Sequence, residues 1–395
     1  MRQRYLVLSL FLIISVLIVI VQCTQTQTSD PRGPAYAGSA TCVKCHQDIS
    51  SNYAHNAHFK TSKELPQDSS QGRQRYLDSL GLPLSTFVFN SGTKVGIEKR
   101  NGQLYQVAYV GGKEIKAEKT DVIFGSGHRA YTFGFWYGDT MMQMPLNYLT
   151  QAHQWVNSPG FPDDQIYFGR PIISRCLECH SSYVQTKNAP KGAGTDEEFM
   201  QGSILSGIDC ERCHGPAADH VEFHLDNPDE KRPSHMVKYK DLPLSMRVDM
   251  CGLCHAGTQV QSVMSKFLFQ PGDSLMKLPS FGSADPDVHG NQMQLLKASP
   301  CFLVGKADCT SCHDIHDDQP KTLALYSNKC MNCHQADQHP KLAQHDAVSL
   351  KNNCIDCHMP ERNSTVIGFQ KSNSKEKIPY QLRTHKIAIY QDLLK

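Results

Sequence analysis

Apolar and polar positions divide the chain into unequal parts. Leu6 to Val21 form an almost unbroken apolar run, preceded by Arg2 and Arg4 and closed by Cys23, which is the layout of an export signal. The run is short for a spanning helix. Residues 24–40 (TQTQTSDPRGPAYAGSA) are polar and aperiodic, so they read as a flexible tether. From Thr86 to Phe124 apolar and polar residues alternate, with turn signals at Asn101-Gly102 and Gly111-Gly112. That pattern predicts a small antiparallel β insertion over about 81–124. Gly125-Ser126-Gly127-His128-Arg129-Ala130-Tyr131 then leads into an aromatic stretch from Phe133 to Tyr137. Near the end, Arg362 to Lys377 is polar and reads as a surface wrap before the chain returns at Thr384-His385-Lys386-Ile387.

Cysteine spacing changes the picture. Seven copies of Cys-x-x-Cys-His take up 14 of the 16 cysteines: Cys42/Cys45/His46, Cys176/Cys179/His180, Cys210/Cys213/His214, Cys251/Cys254/His255, Cys309/Cys312/His313, Cys330/Cys333/His334 and Cys354/Cys357/His358. Each is the attachment signature of a c-type haem. Two thiols about one helical turn apart form thioethers to the vinyl groups of one porphyrin, and the next residue places an imidazole on the iron. Structural zinc and thioredoxin-like pairs also use Cys-x-x-Cys. Neither needs a histidine directly afterwards, and all seven pairs have one.

The hydrophobic content of 39% and aromatic content of 8% are lean for 395 residues, and seven covalent haems c supply the missing apolar mass. The fold class this predicts is mainly α with much irregular structure, a multihaem cytochrome c core of short motif-bearing helices with the small β insertion attached. Because each haem packs against its neighbours, residues 41–395 read as one domain behind a signal or anchor (1–23) and the tether (24–40). The formal charge of +2 omits the cofactor. Loss of Arg2 and Arg4 brings it near zero, and fourteen ionised propionates against seven ferric cores carry it to roughly −7. That balance speaks against a nucleic-acid role.

Cys23 after the apolar run resembles the acylated cysteine of a bacterial lipoprotein, although Gln22 departs from the usual small residue. A lipidated Cys23 and an uncleaved N-terminal segment both place the protein in the periplasm or cell envelope, held to the membrane.

Twelve histidines lie outside the motifs, enough imidazole for seven bis-histidine irons. The glycine-flanked loop lacks the spacing of a phosphate loop; it reads as delivering His128 to an iron, with the aromatic residues after it lining a porphyrin face. His316 follows His313 by three residues, and His220 and His224 lie one turn apart. Ligands so near their own motifs serve neighbouring haems.

Several of these segments together resemble a known family: Cys42 to His46 followed by Tyr53 and His58, the Gly125 to His128 loop, Cys210 to His220, Pro271-Gly272-Asp273, Cys301 to His316, Cys354 to Pro360 and Thr384-His385. They are similar to the multihaem cytochromes grouped with the tetrahaem cytochrome c-554, with hydroxylamine oxidoreductase and pentahaem nitrite reductase as related architectures. The resemblance implies that His58, His128, His220, His316 and His385 are distal ligands. His289 and His345 are assigned to the remaining two irons, with His339 and His224 in reserve. Seven motifs in place of four mean that the wiring of the tetrahaem protein does not transfer. No Cys-x-x-Cys-Lys occurs, which removes the hallmark of the nitrite reductase site. Cys301 is left as either an inert thiol beside a porphyrin or a ligand at an open iron.

The function this predicts is a membrane-tethered, extracytoplasmic heptahaem cytochrome relaying electrons between respiratory partners, such as a quinol-oxidising component, and an acceptor. The alternative is an oxidoreductase acting on a small nitrogen or sulfur oxyanion at one five-coordinate haem. Axial ligand count separates the two, because only an iron with a vacant position binds substrate. A haem-storage or scaffold role fits poorly with so many iron ligands.

Overall fold

The computed structural model describes residues 30–66, 71–188, 197–257, 265–275, 286–317, 322–340 and 346–393. Cys23, the apolar run before it and His345 lie outside the described residues. Among the described residues no helix is long and apolar enough to cross a membrane.

The strands are β1 (Ser62–Glu64), β2 (Thr86–Val88), β3 (Lys94–Arg100), β4 (Gln103–Val110), β5 (Lys113–Lys119), β6 (Val122–Phe124), β7 (Ala130–Tyr137), β8 (Thr140–Gln143), β9 (Leu146–Leu149), β10 (Gln154–Asn157), β11 (Arg170–Ile172), β12 (Ser181–Tyr183), β13 (Leu205–Ser206), β14 (Glu361–Lys371) and β15 (Lys377–Arg383). The first predicted turn joins β3 to β4 with Arg100 opposite Gln103. Asn101 and Gly102 both take positive φ, 48° and 74°, as a two-residue turn matched to the twist of the strands requires. Gly111 and Gly112 (φ 59° and 80°) likewise join β4 to β5.

The mainly α expectation is overturned: the chain is 30% helical and 25% strand. The four-stranded sheet β2-β3-β4-β5 matches the alternating segment, but a nine-stranded sheet stands beside it. That larger sheet runs β1-β6-β7-β9-β10-β14-β15, with β8 on β7 and β11 on β8. β6, β9 and most of β10 are buried on both faces, so they carry no alternation to betray them. The polar stretch read as a surface wrap is the β14–β15 hairpin, docked by Val156 and Asn157 of β10 against Lys371 and Gln370.

This β body has an apolar core of its own, in which Phe87, Phe89, Val95, Ile97, Phe133, Phe135, Tyr148 and Trp155 meet. Phe133 and Phe135 are 0% and 1% exposed, and Phe133 stacks on Trp155 at 5.2 Å between centroids. They pack against protein, which corrects their reading as porphyrin-facing residues. Among the described residues the helices from Ser174 onward are short, the longest being the 12-residue Leu244–His255, and several of them, such as Ser174–His180 and Cys210–His214, carry motif residues.

Candidate haem-binding array

One turn of helix shapes each motif. The backbone N–H of the motif histidine donates to the carbonyl of the first cysteine at 2.9–3.0 Å in the first, fifth, sixth and seventh motifs. This i to i+4 closure puts the first cysteine and the histidine on one face.

The motifs form a connected series. The side chains of Cys42 and Cys210, Cys179 and Cys254, Cys251 and Cys309, and Cys330 and Cys354 are neighbours. Cys213 lies in electrostatic reach of Cys251, and Cys312 of Cys330. The motifs therefore run first, third, fourth, fifth, sixth, seventh, with the second joined to the fourth. Among the described residues no three His, Cys, Asp or Glu side chains converge to hold a metal ion.

Cys45, Cys176, Cys333 and Cys357 are exposed, and the other motif cysteines are half-buried.

Two imidazoles on opposite sides of one metal, each bonded at about 2 Å, put their ring centroids about 6 Å apart. Five motif histidines face a non-motif histidine at that spacing. His46 faces His220 at 6.5 Å, His255 faces His58 at 6.1 Å, and His214 faces His316 at 5.9 Å. His313 faces His385 at 6.2 Å, and His358 faces His339 at 6.2 Å. The far ring nitrogens are partly committed as iron ligands require: His220 Nδ1 lies 2.8 Å from the Ser234 carbonyl and His358 Nδ1 3.0 Å from that of Ala388. Desolvation lowers the pKa values of His180 and His255. These observations fit haem c.

His180 has different neighbours: Phe124 meets it edge-on at 6.0 Å, and the Thr61 hydroxyl lies 3.1 Å from Nδ1. His128 is exposed in the β6–β7 loop. That loop sits beside the second motif, because the Gly125 amide donates to the Thr61 carbonyl at 2.7 Å. His289 lies 6.0 Å from Tyr380 and in electrostatic reach of His180. His224 packs 4.6 Å from His220. Cys301 sits among the cysteines of the fifth and sixth motifs, near Cys312, Cys330 and Cys333.

Sequence reasoning missed the buried charges that fix the motifs. Glu211, inside the third motif, is 3% exposed and accepts from the amides of Ala37, Gly38 and Ala217 at 2.8–2.9 Å. Arg32 ion-pairs with Asp30, Asp209 and Glu211 at 2.7–3.2 Å. Glu178, inside the second motif, accepts from Ser265 Oγ and the Lys266 amide at 2.8 and 2.9 Å. A carboxylate between two attachment cysteines was the available signal.

Residues 168–215, which hold the second and third motifs, match the family described as cytochrome c554 and c-prime. The outer cell wall cytochrome OcwA has a similar fold, with a TM-score of 0.51 at 18% identity over 90% of this chain and 80% of that one. No curated protein matches the chain. With the motifs, these similarities support a multihaem c-type cytochrome.

Proposed function

We propose that this protein is a cell-envelope heptahaem cytochrome c that relays electrons between respiratory partners. The series of neighbouring motifs carries the reading, since motifs whose cysteines lie side by side would hold their porphyrins close together. When bound, the haem irons supply one-electron chemistry. His46 with His220, His255 with His58, His214 with His316, His313 with His385 and His358 with His339 would hold five irons from both faces. Imidazole on both sides keeps the ligand set the same in both oxidation states, so little rearranges on electron transfer. His180 and His334 would hold the other two, with His128 and His289 beside the second motif as candidate partners for His180. A lipidated Cys23 or an uncleaved N-terminal segment would tether the domain, in keeping with a structural neighbour whose name places it in the outer cell wall. A quinol-oxidising component is the proposed donor.

The alternative, catalysis on a small oxyanion at one open iron, draws on His180, whose ring meets Phe124 and a hydroxyl. Cryogenic electron paramagnetic resonance of the oxidised protein separates the two. The relay reading expects low-spin ferric signals throughout, and a stoichiometric high-spin signal contradicts it. In the same spectra His339→Ala is expected to convert one low-spin iron to high-spin, and a spectrum that matches the parent's would remove His339 as the partner of His358.

A further inference from the structure

We propose that buried charge grades the haem potentials, with Lys266 and Arg212 raising them where the second and fourth motifs meet, and Asp209 and Glu211 lowering them where the first and third meet. This inference rests on the heptahaem reading.

Lys266 is 8% exposed, and its Nζ lies 3.7 Å from Cys179 Sγ. Its place is fixed at both backbone ends, since its amide donates to Glu178 Oε1 at 2.9 Å and its carbonyl accepts from Arg212 Nη1 at 2.9 Å. Arg212 belongs to the third motif by sequence, but its guanidinium lies at the second. Its Nη2 donates to the Glu178 carbonyl at 3.2 Å, and its face packs on Phe267 at 5.3 Å. Two cations thus face one carboxylate, Glu178, at this junction.

The first and third motifs meet under the opposite balance. Asp209 caps the Arg212 amide at 2.9 Å and, with Asp30 and Glu211, shares the single guanidinium of Arg32. Three carboxylates therefore face one cation.

Reducing a ferric centre adds an electron, so a fixed cation nearby favours the reduced form and a fixed anion the oxidised form. Burial keeps salt from screening either effect. Electrons arriving at the first and third motifs therefore run downhill to the second and fourth. The second motif meets the fourth through Cys179 and Cys254 and the third through the Arg212–Glu178 contact, so it lies beside the series as a side branch that holds charge.

The test is a potentiometric titration, followed spectroscopically, of Lys266→Met, Lys266→Arg and Glu211→Gln. Lys266→Met should lower the highest-potential component so that its reduced-to-oxidised ratio at fixed potential falls about tenfold, equal to about 59 mV for a one-electron couple. Lys266→Arg should keep the parent value, and Glu211→Gln should raise the lowest component. A Lys266→Met titration that overlays the parent, or moves every component equally, overturns the proposal. If Lys266→Met does not fold, an unmoved lowest component in Glu211→Gln overturns it alone. Mass analysis of the parent counts its haems separately, so a failed heptahaem reading is distinguished from a failed potential gradient.

Discussion

Replacing Arg32 with Met is expected to cost about 3–5 kcal/mol of stability, the range for removing one partner of a buried ion pair. The guanidinium is 6% exposed and reaches Asp30, Asp209 and Glu211 at 2.8, 2.7 and 3.2 Å. Its removal leaves three carboxylates in a low-dielectric site, one of them the cap of the third-motif helix and one inside the motif. The loss should appear as a lower denaturant midpoint with an unchanged slope. The pH dependence follows from Asp30: against the upward pull of burial, the Arg32 hydrogen bonds and charge hold its carboxyl below 3.8. A depressed carboxyl contributes stability that is present above the unfolded value and lost as pH falls through the folded one. The gap between parent and variant should therefore narrow below about pH 4. A variant as stable as the parent at neutral pH would show that the cluster is dispensable.

Phe133→Ala is expected to cost about 3–5 kcal/mol, the usual range for truncating a fully buried aromatic side chain. Phe133 is 0% exposed and packs on Trp155 in a core built of protein side chains. The haem complement of the folded variant should equal that of the parent, because no attachment cysteine lies in this core. A small stability loss with disturbed haem spectra would instead return Phe133 to a porphyrin face.

The attachment residues were legible because thioether chemistry leaves a fixed spacing, and Asn101-Gly102 because a two-residue turn with two positive φ angles needs those residue types. Spacing does not tell which thiols turn outward, as Cys45, Cys176, Cys333 and Cys357 do. The larger sheet was not legible. Strands such as Leu146–Leu149 are buried on both faces, and β14 is recruited by pairing with Val156 and Asn157 more than by its own composition. The run Phe133 to Tyr137 has the period of two of a strand, with Gly134 and Trp136 alternating with the two core phenylalanines, but its aromatic content suggested a porphyrin. Among the distal-ligand candidates, spacing does not pair His339 with His358. The 6.2 Å approach of His339 to His358 requires the fold. Lys266 was invisible for the same reason, since 87 residues separate it from the cysteine it meets.

All seven motifs carrying covalent haem is the condition for the relay, and the mass of the purified, denatured chain decides it. The expected value is the mature polypeptide plus seven haem additions. A mass with fewer than seven would overturn the relay, because a motif without its porphyrin would interrupt the series of neighbouring motifs.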